Sequence, residues 1–433
     1  MSTSSLYIQT ILALVVMAGA YVVSKLFKFS TEISLFFAVV AGAIYGGAGF
    51  DTFRHLAEGS IAYFDIGLIF LFATLFMNII KESGGTDYIV RGIIKGFYNK
   101  KYLMLILLMV VMLVPGSITG AGSISVMVVG GTVSSALVAM GLGLDTVSAI
   151  IFLTAAMSAV APPINVWAMM TCACTAIPYV GFTFPLLIPV IVLGLFSVLF
   201  LGRKAKNIDR DVALKNIPEP KGLSGWSVGI PFLVLIFLLT APRIWPFDFP
   251  VMGLPLNFAI SALVAFAMNF KRIKILKVIE STIDQVIPLL ATTAIVGMLL
   301  QVISFNGVKG LISMTVVTMP VVLLFILLPA IIPVSEAILT YGSAALIGAP
   351  LVWMLNSRGY NAVLAIAGLS FMWALGDALP PTALIGRLSV STAGYTGKYS
   401  SFLKKSIVPW IAITAVGLLM IIFSNQLSFL MFS

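Results

Sequence analysis

Two stretches, PGSITGAGSIS at residues 115–125 and PVSEAILTYGS at 333–343, decide how this chain is read. Each sets Pro-x-Ser inside a long apolar run, and each is followed by a Pro-Pro pair at a matched distance. From 115 to 162 and from 333 to 380 the spacing is 47 residues in both cases. Ser125 and Ser343 keep the same offset of 218. Proline removes a backbone donor and crowds the preceding turn. Inside a bilayer the freed groups survive only where protein or a wet cavity covers them. Four breaks at paired positions therefore read as an internal repeat of the kind from which transporters are built.

Composition points the same way. Of 433 residues, 60% are apolar and 9% charged, against ~45–50% and ~25% in a soluble domain. So few charges cannot solvate a 46.2 kDa globule, which excludes a soluble enzyme, and the hydrophobicity excludes a disordered chain. Spanning helices need ~20 apolar residues each, and apolar runs fall near 6–24, 32–50, 61–80, 102–140, 146–171, 180–201, 225–241, 251–270, 284–304, 310–345, 346–379 and 407–425. A basic amphipathic stretch at 86–101 and the polar segment 203–221 interrupt them. The expected fold is an all-α polytopic membrane protein with an inverted repeat, two re-entrant helical hairpins and two Pro-Pro-broken helices. Its parts are a first repeat over 1–202, a cytoplasmic linker at 203–224 and a second repeat over 225–433. A transport domain of 102–171 plus 310–395 would move against the other helices.

The net charge of +10 needs no nucleic acid, because the basic residues sit in short loops and follow the positive-inside bias. Placing 203–221 and Lys271–Lys277 on the cytoplasmic side puts the Lys25/Lys28 loop inside, 51–60 outside and both termini outside. Cys172 and Cys174 are too close for an easy disulfide and lack partners for a metal site.

Chemistry is expected at the breaks. Half-helix N-termini attract anions, and freed carbonyls can coordinate Na⁺. Gly116, Ser117, Thr119, Ser123 and Ser125 line the first break, and Ser335, Glu336 and Ser343 the second. A carboxylate within a span, as at Glu336, is a functional candidate, although it could pair with a basic side chain. Asn165 follows the first Pro-Pro; Thr382, Asp377 and Arg387 surround the second. Ser117, Asn165, Ser335 and Thr382 are the expected Na⁺ ligands, joined at the ion site by Gly116, Thr119, Glu336 and Asp377. Ser123, Ser125, Ser343, Thr382 and Arg387 would face substrate, with Arg387 either clamping a carboxylate or pairing with Asp377. Asn165 and Thr382 could instead satisfy backbone groups freed by the prolines.

The order of motifs resembles a family. A span ending in Ser83-Gly84-Gly85, a Gly-Ser-rich re-entrant motif and Pro-Pro recur as Phe305–Gly307, Pro-x-Ser and Gly-x-x-x-Pro-Pro at Gly376–Pro381. The chain resembles the large membrane subunit of tripartite ATP-independent periplasmic (TRAP) transporters, the DctM-like group of the ion transporter superfamily. That resemblance implies an elevator mechanism in the inner membrane and Na⁺-coupled uptake of an organic anion such as a carboxylate. It also implies a small four-helix membrane subunit and a periplasmic binding protein as partners. The chain departs from the pattern at Ile164-Asn165, Thr382-Ala383 and Glu336. A stand-alone symporter of gluconate or citrate type, coupled to H⁺ or Na⁺, and an ion channel are the alternatives. No cofactor beyond the coupling ion is expected. No nucleotide-binding Gly-x4-Gly-Lys-Ser/Thr occurs, and an intramembrane enzyme using Asp145 and Asp377 is the remotest reading.

Overall fold

The computed structural model describes residues 3–431 except 209, 216 and 246. Asp209 and Asn216 of the expected linker, and the chain ends at 1–2 and 432–433, lie outside the described residues. Among the described residues every regular element is helical, and nine helices are long and apolar enough to cross a membrane. The chain is a multi-pass all-α membrane protein. Large apolar side chains such as Ile236 and Phe237, or Ile407 and Ile411, stand exposed. In water such patches would be a liability; in lipid they are the outer surface.

The first half runs α1 (Thr3–Leu26), α2 (Thr31–Tyr45), α3 (Asp51–Ser60), α4 (Phe64–Glu82), α5 (Gly85–Phe97), α6 (Lys101–Thr119), α7 (Gly122–Ser125), α8 (Gly131–Ala139), α9 (Leu144–Val160), α10 (Val166–Thr175) and α11 (Thr183–Leu201). A short α12 (Arg210–Lys215) follows in the linker. The second half runs α13 (Gly225–Ile244), α14 (Leu254–Asn269), α15 (Ile275–Phe305), α16 (Val308–Thr318), α17 (Val321–Leu339), α18 (Ala349–Ser357), α19 (Ala362–Gly376), α20 (Leu384–Thr392) and α21 (Tyr399–Ile422).

The offset of 218 extends to whole elements. One wider, π-helical turn occupies Val126–Gly130 and another Ala344–Gly348. From there α8 and α18 begin at 131 and 349, α9 and α19 at 144 and 362, and α10 and α20 at 166 and 384. Both Pro162-Pro163 and Pro380-Pro381 are cis. The halves also exchange contacts: α10 packs on the π-helical turn of the second half, and α20 on that of the first. Two-fold pairing of related units requires this reciprocity.

Hydrogen bonds at the helix ends show that the hairpins enter from opposite faces. The Lys101 N–H donates to Asn207 Oδ1 at 3.2 Å, and the Lys206 N–H donates to the Met140 carbonyl at 2.8 Å. One loop thus holds both ends of the first hairpin, which re-enters. The second closes likewise, its Arg358 guanidinium donating to the Val317 and Met319 carbonyls at 3.3 and 3.4 Å. Helix α21 joins the two bases. Lys405, near its start, pairs with Asp145 at 3.4 Å beside the first base. Ser424, just past its end, accepts from the Asn361 N–H at 3.0 Å beside the second. The 19 residues from Lys405 to Ser424 cover ~29 Å at 1.5 Å per residue, about the thickness of a bilayer's hydrocarbon core. The repeat is inverted.

Some expected boundaries change. Pro115 and Pro333 lie inside continuous helices, and the chain turns five to seven residues later, at Gly120 and at Thr340. Each proline's lost bond falls in the last turns, where the helix is about to end, so it bends the rod without stopping it. Residues 51–60 form α3 rather than a loop, and α15 begins at Ile275, taking in the polar stretch before 284. Its early polar positions find partners on α4: Asn78 Nδ2 donates to Thr282 Oγ1 and Gln285 Oε1 at 2.9 and 3.2 Å.

The core is the pair α9 and α19, apolar and buried on all sides. Helix α21 approaches α19 through facing glycines. A Cβ on Gly368 would stand 2.4 Å from the Gly417 carbonyl, the small-residue contact that lets membrane helices touch backbone to backbone.

Gly368→Ala is expected to lower stability by about 1–3 kcal/mol through overpacking, read as thermal unfolding in detergent. Gly96→Ala, where the added carbon meets nothing within 4 Å, should be neutral or slightly stabilising. For the topology, cysteines at Lys206 and Ser357, in a background lacking Cys172 and Cys174, should label from opposite faces of sealed vesicles. Labelling of both from one face would remove the inversion.

Candidate functional site

The hairpin tips meet. Gly120 ends α6 with φ +70°, the left-handed cap conformation that glycine adopts without strain. Its carbonyl accepts from the Tyr341 hydroxyl of the other tip at 3.4 Å. Tyr341 is wedged against Trp167 and Phe70, ring centroids 5.2 and 5.9 Å away. Thr340 holds φ +51° and ψ −141° without being glycine, a costly conformation that persists where surroundings impose it.

Each tip also rests on its own Pro-Pro break. The Ile164 N–H donates to the Ser117 carbonyl at 3.2 Å. Thr382 gives both its N–H and its hydroxyl to the Ala337 carbonyl, at 3.3 and 3.0 Å. Asn165 closes the first break: its Oδ1 accepts from the Ala168 N–H at 3.0 Å, capping α10, and its Nδ2 donates to the Val160 carbonyl at 3.2 Å. The Tyr179 hydroxyl donates to the Pro163 carbonyl and accepts from the Asn165 N–H, both at 3.2 Å. At the second break the Tyr399 hydroxyl donates to the Ala378 carbonyl at 2.8 Å. Asn165 and Thr382 thus do the backbone work that broken helices demand.

A narrow cleft of about 30 Å³ opens between these parts, room for about two waters and too small for an organic solute. The first tip contributes Ser123, the second Thr340 and Tyr341, and the second break Asp377, Leu384 and Ile385. Pro288, Leu289 and Thr292 close it from the bend in α15, and Glu32 from the first turn of α2. Neither α7 nor α20, whose N-termini lie here, carries a side-chain cap.

Glu336 lies directly behind, 1% exposed. Its Oε2 accepts the Ser343 hydroxyl; Oε1 has no hydrogen-bond partner, and the indole N–H of Trp167 turned toward it has none either. The packing is tight: a Cβ on Gly376 would stand 2.5 Å from Glu336 Cβ. Asp377 is the next residue, 5% exposed, and near enough to Glu336 for the two charges to repel. Two carboxylates buried together, with no ion pair to either among the described residues, can share a proton or hold a cation.

The other candidates are distributed differently. Arg387 is exposed and donates to the Pro381 carbonyl at 3.1 Å, so the pairing with Asp377 considered from sequence does not form. Ser117, Thr119 and Ser335 donate to the carbonyls of Val114, Pro115 and Ile332 within their own helices, and Ser125 donates to the Met112 carbonyl. Gly116 lies against Ser158, with no room for a side chain. Of the four expected Na⁺ ligands, Ser117 and Asn165 stand at the first break and Ser335 and Thr382 at the second. Asp145 pairs with Lys405 at the membrane face, apart from Asp377, and cannot form an aspartyl dyad with it.

Sequence reasoning missed Glu32 and Tyr341. Tyr341 was detectable, since it stands 218 positions after Ser123. Glu32 was not, because only tertiary packing carries the α1–α2 turn to the cleft.

Asn165→Ala should destabilise the protein by about 1 kcal/mol or more, the typical cost of losing an N-cap, with the Val160 carbonyl also left unpaired. Thermal unfolding in detergent measures it; an unchanged midpoint would show that the cap carries no weight.

No family model matches the sequence, and no curated protein does. Among solved structures the chain is similar to MtrF of Neisseria gonorrhoeae, described as illuminating a class of antimetabolite efflux pumps, with TM-score 0.59, 15% identity, and 86% of this chain and 84% of that one covered. It is also similar to the YdaH transporter of Alcanivorax borkumensis, described as having an unusual topology, with TM-score 0.58, 13% identity and coverage of 86% and 88%. The TRAP assignment has no support in these comparisons. At such identities the likeness is one of fold, and that fold is one on which membrane transporters are built.

Proposed function

We propose that this chain is a secondary active transporter that moves a small organic anion at the expense of a cation gradient. The observation that carries the reading is the meeting of the two hairpin tips, Tyr341 on Gly120, between two broken helices and beside two buried carboxylates. An inverted pair of re-entrant elements closing on a shared polar point is the construction of alternating access. Uncapped helix N-termini at the cleft supply positive dipole ends for an anion, and the carboxylates supply the counter-charge for Na⁺ or H⁺. The cleft as formed is too small for the anion, which would enter when the tips part. In this reading the tips and broken helices move as an elevator against α1–α4 and α13–α15, in a cytoplasmic membrane with the basic loops inside.

Two solved transporters are covered over 84% and 88% of their own chains. Both are described as transporters, which supports the transport reading. Symmetry argues against a channel, since filters are assembled from rings of equivalent chains.

Reconstituted protein should take up labelled carboxylates saturably, driven by an imposed Na⁺ or pH gradient and abolished when the gradient is collapsed. Single-channel currents without coupling would overturn the reading. Cysteines replacing Ala121 and Thr340 should become accessible from alternating faces as the protein cycles. Equal labelling from both faces throughout would reject the elevator.

A further inference from the structure

The cleft holds an acidic residue that the reading above does not use. Glu32, half-buried in the first turn of α2, shares the cleft wall with Asp377, although the two lie on elements far apart in sequence. Lys25 stands beside Glu32 and toward Arg387, so cationic groups flank the outer end of the cleft. Tyr21 faces Glu32 as well. At the inner end, Asp377 faces Glu336, Tyr341 and Tyr399. Three carboxylates thus run in order from a half-exposed mouth to a fully buried end.

The occupant is decided by space and donors. The cleft admits about two waters, and no third acidic or histidine ligand converges with Glu336 and Asp377 as a metal site among the described residues. Glu336 offers a single free oxygen, toward which the Trp167 indole N–H is turned. The Ser123 hydroxyl, 4% exposed and without a hydrogen-bond partner among the described residues, lines the same space from the opposite hairpin. A proton passing between carboxylates through bridging water needs only this much.

The repeat adds an asymmetry. Counting back 218 positions, Ile118 stands where Glu336 stands and Ala159 where Asp377 stands. Both are buried and apolar in sequence and in structure. The first half has the hydroxyl, Ser125, but no acid for it to serve.

We propose that Glu32, Asp377 and Glu336 form a proton relay confined to the second half, with Glu32 as the entry group and Glu336 as the terminal carrier of one proton per cycle. At each step an O–H bond breaks on a carboxylic acid or bridging water and one forms on the next carboxylate oxygen. One proton enters from water at Glu32, one resides on the Asp377–Glu336 pair, and the same one returns through the same carboxylates to water on the other side once the tips have moved. The relay specifies the cation of the transport reading and rests on it.

Infrared difference spectroscopy on the full-length protein in liposomes, stepped in pH with potassium salts only, tests the relay with the proton as its own probe. Acidification should raise carboxylic-acid carbonyl bands from the one proton shared by the pair, altered by Glu336→Gln and by Asp377→Asn alike. Glu32→Gln should keep those bands but slow their exchange with D₂O by about 100-fold, the lower range for a positioned acid or base. Glu58→Gln, on the outer surface, should change nothing at the site. If either amide variant misfolds, Glu336→Asp should still shift its band. Bands untouched by all these substitutions overturn the relay, and wild-type exchange in Glu32→Gln removes Glu32 from it. Replacement of the bands by stoichiometric ²²Na⁺ binding would make the pair a Na⁺ site instead. Because the bands need no transported solute, they can persist in a protein that moves no anion, which would reject the transport reading alone. Conversely, gradient-driven uptake with unmoved bands rejects only the relay.

Discussion

A polypeptide that stops being helical inside a bilayer must find a partner for every freed N–H and C=O, and this structure is organised around that requirement. The partners come mostly from elsewhere in the chain. Ser117 and Ala337 of the two hairpins lend carbonyls to the residues after the prolines, and Tyr179 and Tyr399 lend hydroxyls. Each hairpin therefore stabilises its own broken helix, and the two tips stabilise each other through Tyr341. Removing either hairpin would expose polar backbone at its own break. The same lattice of bonds places uncapped helix ends and buried acids at one point, so the geometry that satisfies the backbone also creates the polar chamber.

Against that background Glu336 is unusual. A buried carboxylate without a basic partner is expensive, and a hydroxyl from Ser343 recovers part of the cost. Its counterpart Ile118 shows that the position does not need an acid to pack. The two halves share a backbone plan and differ in charge, as expected when function is assigned to one copy of a duplicated frame.

Much of this was legible in advance because proline and glycine act locally. The matched 47-residue spacings revealed the repeat, which the structure carries over to whole elements. The positive-inside pattern anticipated the opposite entry of the hairpins. Where the reading failed, long-range packing decided. The stretches after Pro115 and Pro333 read as the hairpin tips, and the chain turns inside them at Gly120 and Thr340, but it runs on as helix past both prolines. The paired prolines break it cleanly because two successive donors are missing. Arg387 looked like a partner for Asp377 by proximity in sequence, but a helix separates residues facing different ways, and its guanidinium ends on Pro381. Glu32 could not be placed from sequence, since nothing local says which cavity a helix end will reach. The family resemblance rested on short motifs that different transporter architectures can share.

Helix α21 has a mechanical consequence. It is anchored at one end by Lys405 on Asp145 and at the other by Ser424 on Asn361, and it lies backbone to backbone on α19 through Gly368 and Gly417. A strut fixed at both ends and seated along its length transmits displacement without stretching. Under the elevator proposed above, a shift of one hairpin base would appear at the other as the same translation, and the two entrances would move in antiphase: as one sinks from its surface, the other rises toward its own.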